Sequence, residues 1–213
     1  MPQCIIIAPL YAGEEKEWLT PGEGDLLMCA DGGWDAAVKH GFAPSLVIGD
    51  FDSMPESHVA GADVIRLPVH KDDTDMVVCL REGRRRGYRS FRLAGCMGGR
   101  FDHTISNLQC LADCAVRGEE VWMCDPCNRV TILPPGAYVL PKLDGRKLSL
   151  LAYSEQVSGV HLTGTLWPLQ EAVLTNRYPL GCSNEILDSE AHLSFSDGLM
   201  MVMYTQDLSF GKL

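Results

Sequence analysis

Residues 26–41 read Leu26-Leu27-Met28-Cys29-Ala30-Asp31-Gly32-Gly33-Trp34-Asp35-Ala36-Ala37-Val38-Lys39-His40-Gly41. Five apolar residues in a row are too few for a helix and have no polar alternation, so Leu26–Ala30 reads as a strand buried on both faces. A turn of Asp and Gly follows. Trp34–His40 then has helical composition and closes on Gly41, the residue type that ends helices in a left-handed turn. Strand, acidic glycine turn, helix is half of a βαβ unit, and it recurs along the chain. Ile5–Ala8, Leu46–Ile48, Val64–Leu67, Phe91–Ala94 and Val121–Cys124 are further short apolar runs. Asp73–Arg86 closes on Gly87, and a third helix closes on Gly118, with Ile105, Leu108, Ala112 and Ala115 expected to form its apolar face. Strands alternating with helices predict the α/β class, with a Rossmann-like parallel sheet flanked by helices over residues 1–135.

After Pro134-Pro135-Gly136 the pattern changes. Val139–Leu140, Leu148–Tyr153, Val157–Leu162, Ala172–Leu174, His192–Phe195 and Leu199–Tyr204 are strand-like runs broken by Gly, Pro, Asn and Asp. Residues 136–213 therefore read as a smaller all-β domain, an antiparallel sandwich or barrel.

The 213 residues are 46% hydrophobic and 22% charged, with a net charge of −10. This composition excludes disordered and fibrous classes, and the acid excess speaks against sequence-independent nucleic-acid binding. No apolar run reaches the ~18 residues of a membrane span. Met1–Ile7 lacks a basic segment, so no signal peptide is expected. Nine cysteines without framework spacing suit a reducing cytoplasm.

Acid is concentrated where open parallel sheets collect ligands, beyond the carboxyl ends of strands. Asp31-Gly32-Gly33, Gly49-Asp50-Phe51-Asp52-Ser53, His70-Lys71-Asp72-Asp73-Thr74-Asp75 and Gly95–His103 hold seven of the twelve aspartates in residues 1–135. Asp50 and Asp52, two residues apart, share one side of an extended chain. Their repulsion is relieved by a divalent cation, and oxygen ligands suit Mg²⁺, with Asp72, Asp73 or Asp75 completing the shell. The plainer alternatives are solvated carboxylates in a turn, an Asp52-Ser53 helix cap, or an Asp73 or Thr74 cap on the next helix. The glycine-rich turn Gly95–Gly99 leads into a helix and offers backbone N–H groups to an anion, with Arg100 adding a fork of donors. It is not a P-loop, since no Gly-Lys-Ser/Thr follows. His103 serves either as a partner of Asp102 or as a ligand contact. Cys124-Asp125-Pro126-Cys127 lacks the second pair a zinc site needs. Arg84-Arg85-Arg86 is expected to be a solvated helix end.

These motifs, in this order, resemble the thiamine pyrophosphokinases (thiamine diphosphokinases). Ala30-Asp31-Gly32-Gly33 resembles the family's first acidic turn, and Gly49-Asp50-Phe51-Asp52-Ser53 resembles its Gly-Asp-Phe-Asp-Ser signature. Asp72-x-Thr74-Asp75 and Gly98-Gly99-Arg100-Phe101-Asp102-His103 resemble its Asp-x-Thr-Asp and Gly-Gly-Arg-x-Asp-His segments. Gly164-Thr165-Leu166-Trp167-Pro168-Leu169 and Cys182-Ser183-Asn184-Glu185 resemble its Gly-x-x-Trp and Ser-Asn-Glu elements. Two departures stand out: Trp34-Asp35 where the family commonly has Ala-Asn, and Cys96-Met97 where small apolar residues are common.

The resemblance implies transfer of diphosphate from ATP to the hydroxyethyl group of thiamine, with release of AMP. It also implies Mg²⁺, a β-sandwich after the α/β domain, and a homodimer with active sites between subunits. Asp50, Asp52 and Asp72 are the implied metal ligands. Asp31, Thr74, Gly98, Gly99, Arg100, Asp102 and His103 are implied to hold ATP, and Trp167, Ser183 and Asn184 to bind thiamine. Trp167 has a physical reason to do so, since an indole face attracts a flat cation. One aspartate among Asp72, Asp75 and Asp102 is expected to accept the hydroxyl proton. Two rival readings are a metal-dependent phosphohydrolase with Asp50 as nucleophile and Asp52 as acid/base, and a thiamine- or nucleotide-binding module without catalysis.

Overall fold

A computed structural model describes residues 1–51, 59, 61–68 and 72–207. The chain falls into two compact units, residues 1–114 with 119–126, and residues 127–213 with 115–118.

In the first unit the elements are β1 (Cys4–Ile7), α1 (Lys16–Leu19), β2 (Leu26–Ala30), α2 (Gly33–Lys39), β3 (Leu46–Gly49), β4 (Asp63–Arg66), α3 (Asp75–Arg85), β5 (Ser90–Ala94), α4 (Phe101–Val116) and β6 (Glu120–Cys124). The strands lie in the order β6-β5-β1-β2-β3-β4, and every pairing among them is parallel. The mixed α/β reading therefore holds, and Leu26–Ala30 forms a strand with the expected ends. β1 carries four fully buried residues, as an interior parallel strand should. Ile5, Ile7, Leu27 and Val47 pack with Tyr11, Trp34 and Phe42 in one apolar cluster. The chain runs outward from β1 to β4, then returns to lay β5 on the other side of β1. That reversal of strand order opens a crevice at the carboxyl end of β1, because connections before and after it leave on opposite faces.

Two expectations need correction, and a third gains detail. The run at Val64–Leu67 is an edge strand with exposed ends at Asp63 and Arg66, not a buried one. Charged flanks on an edge discourage pairing with another chain. In α4 the expected Ala112 and Ala115 are buried, together with Asn107, Cys110, Leu111 and Cys114, whereas Leu108 is half-buried and Ile105 is exposed. The buried stripe is therefore shifted toward Leu111 and widened by Cys110 and Cys114, which pack as small hydrophobes. Arg84-Arg85-Arg86 ends α3 with Arg85 and Arg86 exposed, as expected, and its guanidiniums are also engaged in ion pairs. Arg84 Nε donates to buried Glu119 at 2.8 Å, and Glu82 receives Arg85 and Arg86, each at 2.7 Å. The two guanidiniums hold the Glu82 carboxyl down to about 2, against the cost of its burial.

The second unit holds β7 (Asn128–Leu133), β8 (Gly136–Pro141), β9 (Lys147–Ala152), β10 (Gln156–Thr163), β11 (Leu169–Thr175), β12 (Gly181–Asn184), β13 (Glu190–Phe195) and β14 (Met200–Thr205). Their order is β12-β9-β14-β7 in one set and β11-β10-β13-β8 in a separate sheet, with antiparallel pairing throughout. Burial alternates along β13 and β14, as it does in strands with one face on a core. The sequence reading lacked β7 and β12.

All nine cysteines are free thiols, seven of them buried, with Cys127 half-buried and Cys182 exposed. Among the described residues no helix is long and apolar enough to cross a membrane.

Candidate functional site

A cavity of about 660 Å³ opens in the first unit at the reversal of strand order. Its walls come from the carboxyl ends of four parallel strands and the first turns of two helices. After β1 come Ala8, Pro9 and Leu10; after β2, Asp31; after β3, Asp50; after β5, Gly95, Cys96, Gly98, Gly99 and Arg100. Asp73, Thr74, Asp75 and Met76 enter from the start of α3, and His103 and Asn107 from α4.

Local geometry explains how the acids come together. The Asp31 N–H donates to the Ile48 carbonyl at 2.8 Å, which ties the end of β2 to the end of β3. Asp31 also has a left-handed backbone, φ 45°, and Phe51 another, φ 59°. Non-glycine residues rarely adopt this conformation, and those that do cluster at ligand sites. Gly49 permits the approach: a Cβ there would lie 2.9 Å from the Asp31 Cα. Thr74, rather than Asp73, caps α3, its Oγ1 accepting from the Val77 N–H at 3.4 Å. Asp73 faces the cavity and pairs with Arg81 at 2.9 Å.

The turn after β5 is held from two directions. Gly95 has φ 69°, and a side chain there would strike the Tyr11 nitrogen at 2.2 Å. Buried Asn107 donates its Nδ2 to the Cys96 carbonyl at 2.7 Å, and the Gly98 N–H donates to Thr104 Oγ1 at 3.1 Å. Arg100 is fixed by Asp102, with Nη2 to Oδ2 at 2.6 Å and Nε to Oδ1 at 3.2 Å. That guanidinium, with help from the His103 N–H, holds the Asp102 carboxyl below its ordinary range.

Of the expected residues, Asp31, Asp50, Thr74, Asp75, Gly98, Gly99, Arg100 and His103 line this one cavity. Asp102 and Asp72 lie outside its lining: Asp102 braces Arg100, and Asp72 is exposed. Asp52 lies outside the described residues. Among the described residues no three His, Cys, Asp or Glu side chains form a ready-made metal cluster. Asn107 and the Ala8–Leu10 wall escaped the sequence reading. The strand-end rule, applied to β1 as it was to the other strands, would have found Ala8–Leu10.

The second unit has a smaller, mostly apolar cavity of about 340 Å³. Trp167 and Asn184 line it, with Leu150, Leu162, Leu169, Leu180, Gly181 and Cys182. Ser183 lies outside this lining; it is exposed, with a left-handed φ of 61°, and its N–H donates to buried Ser149 Oγ at 2.9 Å.

Comparison with known proteins agrees with this geometry. The family model described as Thiamin pyrophosphokinase, catalytic domain, matches residues 22–123. The model described as Thiamin pyrophosphokinase, vitamin B1 binding domain, matches residues 137–200. Thiamine pyrophosphokinase of Bacillus subtilis (strain 168) is 27% identical over 203 residues, covering 92% of this chain and 91% of the relative. The crystal structure of a B. subtilis thiamine pyrophosphokinase superposes with a TM-score of 0.87 at 27% identity, over 97% of this chain and 100% of that one. The crystal structure of thiamin pyrophosphokinase from Geobacillus thermodenitrificans gives a TM-score of 0.83 at 30% identity, over 98% and 99% of the two chains.

Proposed function

The chain belongs to the thiamin pyrophosphokinase family, and we infer from that membership and the larger cavity how it acts on its substrates. It is an enzyme that forms thiamine diphosphate from thiamine with ATP, moving the diphosphate to the hydroxyethyl oxygen and releasing AMP. One observation carries the assignment of ATP to the first unit: Asp31, Asp50, Asp75, Arg100 and the Gly98-Gly99 turn line a single cavity at the reversal of strand order. Its volume suits a nucleotide-sized ligand.

Backbone N–H groups of the glycine turn and the guanidinium of Arg100 bind the polyphosphate, and they stabilise charge that develops on its oxygens during transfer. Carboxylates in the same cavity would be a poor choice for holding a bare anion. They fit a divalent cation, and the all-oxygen donor set favours Mg²⁺. Asp50, with Asp52 and Asp72, is assigned to hold it; bound there, it would neutralise phosphate charge. Of the three candidate bases, Asp75 faces the cavity, whereas Asp102 is engaged by Arg100. Asp75 is therefore assigned to accept the thiamine hydroxyl proton.

Residues 1–135 are read as a Rossmann-like ATP and metal domain, and residues 136–213 as a β-sandwich that binds thiamine against Trp167. The homodimer with active sites between subunits is part of the same reading. Phe101 and Ile105, exposed apolar side chains one turn apart on α4, support it, since contiguous exposed apolar surface marks interfaces. The free thiols suit a cytoplasmic protein.

Incubation with ATP, Mg²⁺ and thiamine, with identification of every product, tests the reaction. AMP with thiamine diphosphate supports it. ADP or free phosphate would instead indicate a simple kinase or a phosphohydrolase, and thiamine binding without turnover would indicate a binding module. Asp52→Ala, correctly folded but with near-native turnover in Mg²⁺, would remove the metal assignment.

A further inference from the structure

We propose that Asn184 is a positioning residue that clamps Trp167, rather than a group that touches thiamine; this rests on the reading of the smaller cavity as the thiamine site. The Asn184 carboxamide is 6% exposed and is committed to backbone. Its Oδ1 accepts the Trp167 N–H at 3.0 Å and the Glu185 N–H at 2.8 Å. Its Nδ2 donates to the Trp167 carbonyl at 2.7 Å. Two donors meet the oxygen and one acceptor meets the nitrogen, so the orientation of the amide is fixed by its partners. Both polar groups of the Trp167 backbone are thereby held by one side chain.

Neighbouring contacts between the 164–168 loop and the end of β12 reinforce the clamp. The Leu166 N–H donates to the Glu185 carbonyl at 2.9 Å, and buried Thr165 places its Oγ1 3.3 Å from the same Trp167 carbonyl. Pro168 follows and restricts the Trp167 backbone further. Trp167 itself is 58% exposed, so packing does little to place it, and the clamped backbone fixes the point from which the indole projects. A platform fixed before the ligand arrives spares the ordering cost of forming it on binding. Asn is the residue this task needs. Asp would keep both acceptor contacts, lose the donor, and set a charged oxygen against the Trp167 carbonyl.

A double-mutant cycle on the full-length enzyme tests the proposal, with Trp167→Ala, Asn184→Ala and the pair. Each single variant is expected to raise KM for thiamine about tenfold, a modest cost for a misplaced contact. kcat and KM for ATP should stay within about twofold of wild type. In the double variant KM should be no higher than in Trp167→Ala alone, because Asn184 acts through Trp167. A KM equal to the product of the single effects would overturn the proposal, as would an unchanged KM in Asn184→Ala. An unchanged KM in Trp167→Ala would instead overturn the thiamine-site reading, and the proposal with it. Labelling the four tryptophans with 5-fluorotryptophan gives a readout without substrate. The resonance that Trp167→Phe removes should be the one that moves or broadens in Asn184→Ala. Should Asn184→Ala not fold, Asn184→Asp takes its place in both experiments with the same expectations.

Discussion

Replacing Asn107 by alanine isolates what the glycine turn requires. The Asn107 side chain is 7% exposed and donates to the Cys96 carbonyl at 2.7 Å, two residues before Gly98. Alanine leaves that carbonyl without its donor in a buried setting, at a cost of about 1–3 kcal/mol. For a chain of this length each kcal/mol lowers Tm by roughly 2–4 °C, so a fall of about 2–12 °C is expected. The same change frees the turn that presents Gly98, Gly99 and Arg100, so KM for ATP should rise about tenfold while KM for thiamine does not. Asn107→Asp separates the two effects. It nearly conserves volume, but it sets a carboxylate against the Cys96 carbonyl and in the wall of a cavity assigned to a triphosphate. ATP should therefore bind more weakly to Asn107→Asp than to Asn107→Ala. Thermal unfolding by circular dichroism, with initial rates of AMP release, measures all of this. A variant Asn107→Ala with unchanged Tm and unchanged KM for ATP would refute the argument, as would an Asn107→Asp that binds ATP as well as Asn107→Ala.

Asp102→Asn should raise KM for ATP a few-fold with little change in kcat, because Asp102 orients Arg100; loss of a general base would cost about 10²–10⁴ in rate, and steady-state kinetics distinguishes the two. Glu82, held down to about 2 in the fold by Arg85 and Arg86 against an ordinary 4.5, contributes stability that is present above pH 4.5 and is lost as pH falls toward 2. Urea midpoints measured over that range should show wild type losing its advantage over Glu82→Gln as the solution is acidified. Gly95→Ala would put a Cβ 2.2 Å from the Tyr11 nitrogen and 2.5 Å from the Ala8 carbonyl oxygen at a left-handed φ. A loss of more than about 1 kcal/mol is expected, seen as a lower Tm together with a raised KM for ATP.

The sequence made the parallel sheet legible because buried strands advertise themselves: Leu26–Ala30 needs no context to be recognised. Elements whose pattern depends on their neighbours were harder. Val64-Ile65 looks like a buried strand until Asp63 and Arg66 are read as an edge. Ile105 looks like core until Cys110, Leu111 and Cys114 are counted together. β12, Gly181-Cys182-Ser183-Asn184, has no apolar alternation at all, and Gly181 is needed there because a Cβ would strike the Leu150 carbonyl oxygen at 2.2 Å. At the site, charge density on strand ends pointed to the cavity, since repelling carboxylates need a reason to gather. Asn107 and the clamp by Asn184 were hidden for the opposite reason: an amide bonded to backbone leaves no trace in composition or spacing.

The distribution of thiols gives the molecule an optical handle. Burial pushes Cys4 up to about 12, and it also raises Cys29, Cys79, Cys96, Cys110 and Cys114, so these sulfurs are poor nucleophiles as well as inaccessible. Cys182 alone among the nine is exposed, and it stands in the wall of the smaller cavity. A bulky maleimide dye should attach there first, with half-buried Cys127 reacting more slowly. The wild-type chain thus comes prepared for near-stoichiometric labelling beside Trp167, and quenching between dye and indole could be followed as the cavity fills.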